Sequence, residues 1–93
     1  MLNWQAVQAL VDRQAVLLTL RGRPFRVLGL TETGVIVGPR TGWQYTFGRA
    51  DLERAVALLE QGETIAGPGD YRRKVSTTQP SYAWGILRAL GYV

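Results

Sequence analysis

The sequence predicts an α+β domain: a four-stranded antiparallel β-meander with an N-terminal, a middle and a C-terminal helix packed mainly on one face. Three observations carry that reading. The stretch Ala15 to Phe47 holds four short runs rich in β-branched and aromatic residues: 16–20, 25–28, 35–37 and 43–47. The turn signals Gly22-Arg23-Pro24, Thr31-Glu32-Thr33-Gly34 and Pro39-Arg40-Thr41-Gly42 separate them, and connections so short join only antiparallel neighbours. On either side, apolar residues recur at three- and four-residue spacing, the helical period.

Taken in order, Asn3 can cap a first helix whose stripe is Trp4, Val7, Leu10 and Val11. About two and a half turns long, it must dock on the sheet to be stable. In the first strand Val16, Leu18 and Leu20 share one face, expected in the core, and Leu17, Thr19 and Arg21 share the other. The second strand is apolar on both sides, with Phe25 and Val27 against Leu28 and Leu30, which predicts an interior strand at least partly covered twice. Val35 and Val37 oppose Ile36 in the third strand. In the fourth, Trp43, Tyr45 and Phe47 alternate with Gln44 and Thr46, an aromatic face expected in the core, with Trp43, next to a turn, the most exposed.

A middle helix is expected from Arg49 to Glu60, with Leu52, Ala55, Val56 and Leu59 as its buried stripe and Gly62 closing it. Residues 63–79 lack periodicity; within them, Asp70 to Val75 reads as one helical turn capped by Asp70 or as an irregular arm. The last helix begins at Thr78 or Ser81, takes Pro80 into its first turn, buries Tyr82, Ala83, Ile86, Leu87 and Leu90, and ends at Gly91. Trp84 and Arg88 fall on another face of it, and the apolar ending Tyr92-Val93 is expected to pack. In outline the meander resembles a small SH3-like or partly open barrel, a likeness of fold that transfers no function.

Ninety-three residues with a 46% apolar fraction make one small globular domain with little surplus core. The absence of cysteine removes disulfides and thiolate chemistry and fits a reducing compartment. The absence of histidine removes the commonest general base and metal ligand together. No apolar run approaches the ~18 residues of a membrane span, and the N-terminal stretch has no charged n-region with an apolar h-region. The expected location is therefore cytoplasmic, without membrane or cofactor.

Lys and Arg number 11 against 7 acids, a net charge of +4, and Arg strongly dominates. Arg suits bidentate phosphate recognition, although a GC-rich genome also enriches it without functional meaning. Two cationic groups stand out. Arg72, Arg73 and Lys74 are adjacent, with Tyr71 beside them to stack on a base; the competing reading is a solvated loop. Arg21, Arg23, Arg26 and Arg40 flank the hairpins, with Trp43 and Tyr45 near in sequence; here the competing reading is that the aromatics are core.

Catalysis finds no footing. Asp51 and Glu53 diverge on a helix, Ser81 has no local base, and Gly67-Pro68-Gly69-Asp70 lacks the Lys-Ser/Thr of a phosphate loop. The expected function is a non-enzymatic nucleic-acid-binding module. The alternative is a protein-interaction or inhibitor domain, homodimers included, that docks through Trp4, Tyr82, Trp84, Arg88 and Tyr92; against it stands a core in which Trp4 meets the C-terminal helix.

Overall fold

The computed structural model describes residues 1–39 and 42–93; the third turn falls partly outside them, and Arg40 wholly so. The elements are α1 (Trp4–Asp12), β1 (Leu17–Leu18), β2 (Pro24–Leu30), β3 (Gly34–Pro39), β4 (Tyr45–Gly48), α2 (Arg49–Glu60), α3 (Pro68–Lys74) and α4 (Pro80–Ala89). The four strands form an open antiparallel sheet in the order β1-β2-β3-β4, with the helices mainly on one face, as the α+β reading requires.

Asn3 caps α1: its side-chain oxygen accepts from the N–H groups of Gln5 (3.0 Å) and Ala6 (3.2 Å). Val7 and Leu10 are buried and Trp4 half-buried, so the stripe docks as its spacing demands. The helix closes without glycine. Gln14 takes the left-handed conformation (φ 51°), and Ala15 N–H reaches back to the Leu10 carbonyl at 3.1 Å.

The first strand corrects the expectation, because its faces are inverted. Leu17 and Thr19 are buried, whereas Val16, Leu18 and Leu20 are 56%, 49% and 53% exposed. Four of the five residues 16–20 are apolar, so alternation cannot set their register. Pairing sets it instead: Leu17 lies opposite Phe25, whose ring is core. Thr19 is tolerated inside because its hydroxyl accepts from Arg23 N–H at 3.1 Å within the hairpin turn.

β2 is interior, between β1 and β3, as expected, and its second face is only partly covered, with Arg26 and Leu28 exposed. Val27 pairs with Val37, but Gly29 pairs with Ile36, so Leu28 is the extra residue of a β-bulge. The bulge moves the inward register from Phe25 and Val27 to Leu30, which packs on the core opposite buried Val35. The second apolar set in β2 thus records a register change, and the sheet's outer face is open at Leu18, Arg26 and Leu28, all exposed.

The aromatic face of the fourth strand is graded. Phe47 is buried, Tyr45 is 36% exposed, and Trp43 precedes the strand at 74% exposed. α2 follows β4 directly, buries Leu52, Ala55 and Val56, keeps Leu59 half-buried, and gives way to Gly62 at φ +93°. Segment 68–74 is a helix of two turns, longer than the single turn or irregular arm expected. Pro68 stands at its start, and the Asp70 carboxylate, inside the helix, accepts from Ala66 N–H at 3.0 Å. Tyr92 packs on the core, and its hydroxyl accepts from Asn3 N–H at 3.1 Å, which ties the C-terminus to α1.

α4 buries Ala83, Ile86 and Leu87 as expected, and Trp84 and Gly85 as well. A Cβ at Gly85 would lie 2.9 Å from Phe25 Cε1 and 3.1 Å from the Leu18 carbonyl oxygen. Only glycine lets the helix backbone sit this close to β1 and β2. Gly85→Ala should therefore cost up to about 2 kcal/mol net, the overpacking penalty of ~1–3 kcal/mol less the ~1 kcal/mol that alanine gains in a helix. Leu52→Ala should cost ~2–5 kcal/mol and Leu18→Ala about 0.5 kcal/mol or less. Urea unfolding of the three variants tests this; comparable losses at Leu18 and Leu52 would put Leu18 back on the core face.

Candidate functional site

The two cationic groups meet different fates. Lys74 Nζ is 2.6 Å from the Thr64 carbonyl, 3.6 Å from Glu63 and 3.9 Å from Asp70, and Arg73 bonds Asp70. The Ala66 N–H, followed by the Arg73 guanidinium and the nearby Lys74 charge, holds the Asp70 carboxyl below the usual aspartate range despite partial desolvation. Tyr71 is fully buried, which corrects its assignment as a stacking platform. Its spacing is that of a core residue on a two-turn helix, a helix that the sequence pattern could not resolve. Arg72 alone of this cluster is exposed and outside the ion pairs of the described residues.

Arg21, Arg23 and Arg26 are exposed and enter no ion pair among the described residues. Arg26 sits on the open face, on the wall of a groove of about 270 Å³ with Val16, Leu28 and Trp43. Arg21 and Arg23 line a wider cleft of about 700 Å³ between the β1–β2 hairpin and the starts of α3 and α4, with Tyr45, Ser81 and Tyr82. Pro24 and Pro39 belong to both recesses, so the two adjoin, and among the described residues no acidic side chain lines either one. Arg40 lies outside the described residues.

Aromatic packing shapes the cleft. Tyr45 and Tyr82 stack at 5.6 Å with an interplanar angle of 25°, and Tyr82 meets Phe25 edge-on at 5.0 Å. Burial raises the Tyr82 hydroxyl above its ordinary pKa; Tyr45 adds to the shift, and Arg23 pulls the other way. The Tyr45–Tyr82 pair joins residues 37 apart and has no local sequence signal.

The helix faces nominated for a protein partner are largely engaged in contacts within the molecule. Trp84 is buried and donates from its indole N–H to the Ile65 carbonyl at 2.9 Å. The Arg88 guanidinium donates to the carbonyls of Leu18 (2.9 Å) and Thr19 (3.0 Å) and lies 5.0 Å over the Trp84 ring. Trp4 meets α2: it donates to Glu53 at 2.9 Å, and Arg49 lies 4.7 Å over its ring. Tyr82 and Tyr92 are half-buried against the core. Asp51 is likewise taken up, by Arg54 at 2.8 Å.

No protein-family model, curated protein or solved structure matches this chain.

The buried Tyr71 hydroxyl has no hydrogen-bond partner among the described residues, and desolvation, reinforced by the Asp51 charge and opposed by Arg54, pushes its pKa well above the ordinary value of 10.0. Its folded pKa exceeds its unfolded one. The contribution is thus complete below pH ~10 and is lost above it, where only the unfolded chain ionises. Stability should fall by up to ~1.4 kcal/mol per pH unit above pH ~10 on this account. Tyr71→Phe should reduce that slope, as urea titrations at pH 9 and 11 would show; equal slopes in both proteins would place the titration elsewhere.

Proposed function

We propose that this domain is a non-enzymatic binder of single-stranded nucleic acid, and that it uses the open sheet face with the adjoining hairpin cleft. One observation supports this above the others. Among the described residues, two joined recesses free of acidic walls carry Arg21, Arg23 and Arg26 outside any ion pair, beside a Trp43 ring that is 74% exposed. Cations neutralise phosphates and exposed aromatic faces accept bases, a combination suited to unpaired strands. Arg73 and Lys74, already paired with carboxylates, contribute little in this reading, and Tyr71 contributes nothing.

A second reading rests on the same face. Val16, Leu18 and Leu28 are exposed there, and an apolar sheet surface of this kind also suits a protein partner. The docking surface then shifts from the helices to the sheet.

Fluorescence anisotropy against single-stranded DNA, duplex DNA and RNA separates the two. With three or four arginines engaged, log affinity against log salt should have a slope of about −2 to −3, at ~0.7 per single-strand contact. Replacing Arg21, Arg23 and Arg26 by Ala should flatten it, whereas replacing Arg72, Arg73 and Lys74 should change it little. Absence of binding to every probe at concentrations on the order of tens of micromolar would transfer the case to the protein partner.

A further inference from the structure

We propose that the groove and the cleft are consecutive nucleotide subsites. The groove takes one unpaired base against Trp43, and the cleft takes the neighbouring nucleotide's phosphate and sugar. The inference rests on the nucleic-acid reading above and adds a recognised unit, a dinucleotide step.

The two recesses differ in chemistry as the two halves of a nucleotide do. The groove, at about 270 Å³, is close to the lower end of small-ligand pockets (~300 Å³) and has room for one small planar group. Its walls are mostly apolar, and Arg26 is their one charged side chain among the described residues. Gly38 shapes the floor. A Cβ there would come within 2.8 Å of Leu28 Cδ1 and 3.0 Å of the Trp43 carbonyl, so the absence of a side chain lets both approach the strand. The adjoining cleft is wider and presents two guanidinium groups and the Ser81 hydroxyl, the donors a phosphate requires. Pro24 and Pro39, common to both, put a narrow boundary between base and phosphate. A base held inside a duplex stack could not enter the groove, so the site selects unpaired strands.

The test uses the intact chain and its tryptophan fluorescence. Trp84 is buried and Trp4 half-buried, which makes Trp43 the ring most open to a solvent-borne base. Thymidine monophosphate, the thymidine dinucleotide and longer oligothymidylates are titrated at fixed salt, with a uridylate series to compare DNA with RNA. The dinucleotide should quench the emission and bind about tenfold more tightly than the monophosphate. Trp43→Ala should weaken the dinucleotide about fivefold to a hundredfold at an unchanged salt slope, and Trp43→Phe should restore part of the loss.

A dinucleotide no better than the monophosphate, or quenching that survives Trp43→Ala, would overturn the subsites while leaving single-strand binding intact. So would inorganic polyphosphate that competes as well as an oligonucleotide of equal charge, or a homodimer in sedimentation that Trp43→Ala dissolves. Failure of even the long oligomers to bind would instead remove the nucleic-acid reading itself.

Discussion

The approach of α4 to the sheet at Gly85 is the contact on which the rest of the structure depends. The Phe25 ring and the Leu18 carbonyl occupy the space that any other residue's Cβ would claim. From that seat the helix reaches three ways. Trp84 bonds the Ile65 carbonyl and holds the segment before α3, Arg88 bonds the carbonyls of Leu18 and Thr19, and Tyr82 lies between Phe25 and Tyr45. Close packing transmits a misfit here to all three, because a well-filled interior has no slack to absorb it. The cleft that carries Arg21 and Arg23 is bounded by the same hairpin and the same helix start, so its shape follows from this contact.

Much of the fold was legible where local signals agreed with one another. The cap at Asn3, the bounds and stripe of α2, the glycines that close α2 and α4, and the antiparallel order of the meander all follow from short-range chemistry. The failures share one cause: residues whose placement is decided across the chain. The five-residue run 16–20 is apolar at four of its positions, so only pairing with Phe25 sets its face. At Leu28 the one local marker of the bulge is Gly29 inside the strand, and the register shift itself is set by pairing with β3. Tyr71 stands beside three cations in sequence but points into the core, because two helical turns, not an exposed arm, carry the segment.

The candidate site was half legible, for a related reason. Charge is read directly from sequence, so Arg21, Arg23 and Arg26 were visible; whether a cation is already paired is not. Arg73, Lys74 and Arg88 each satisfy a partner within the molecule, and only the folded geometry separates them from the other three. Aromatics divide in the same way. Trp4 and Trp84 each have an indole donor satisfied internally, whereas Trp43 carries its ring into solvent.

The edge at β1 bears on how the sheet avoids growing. An unpaired strand edge is a template on which another chain can add a strand. β1 is only two residues long, and Arg88 occupies the outward Leu18 carbonyl that an incoming strand would use. At the opposite edge β4 runs for four residues before the chain turns into α2. Both borders are therefore poor templates for fibrillar accretion. The apolar side chains that the sheet leaves in solvent stand on its face, where a contact is made by side chains and is limited to the area of a single sheet.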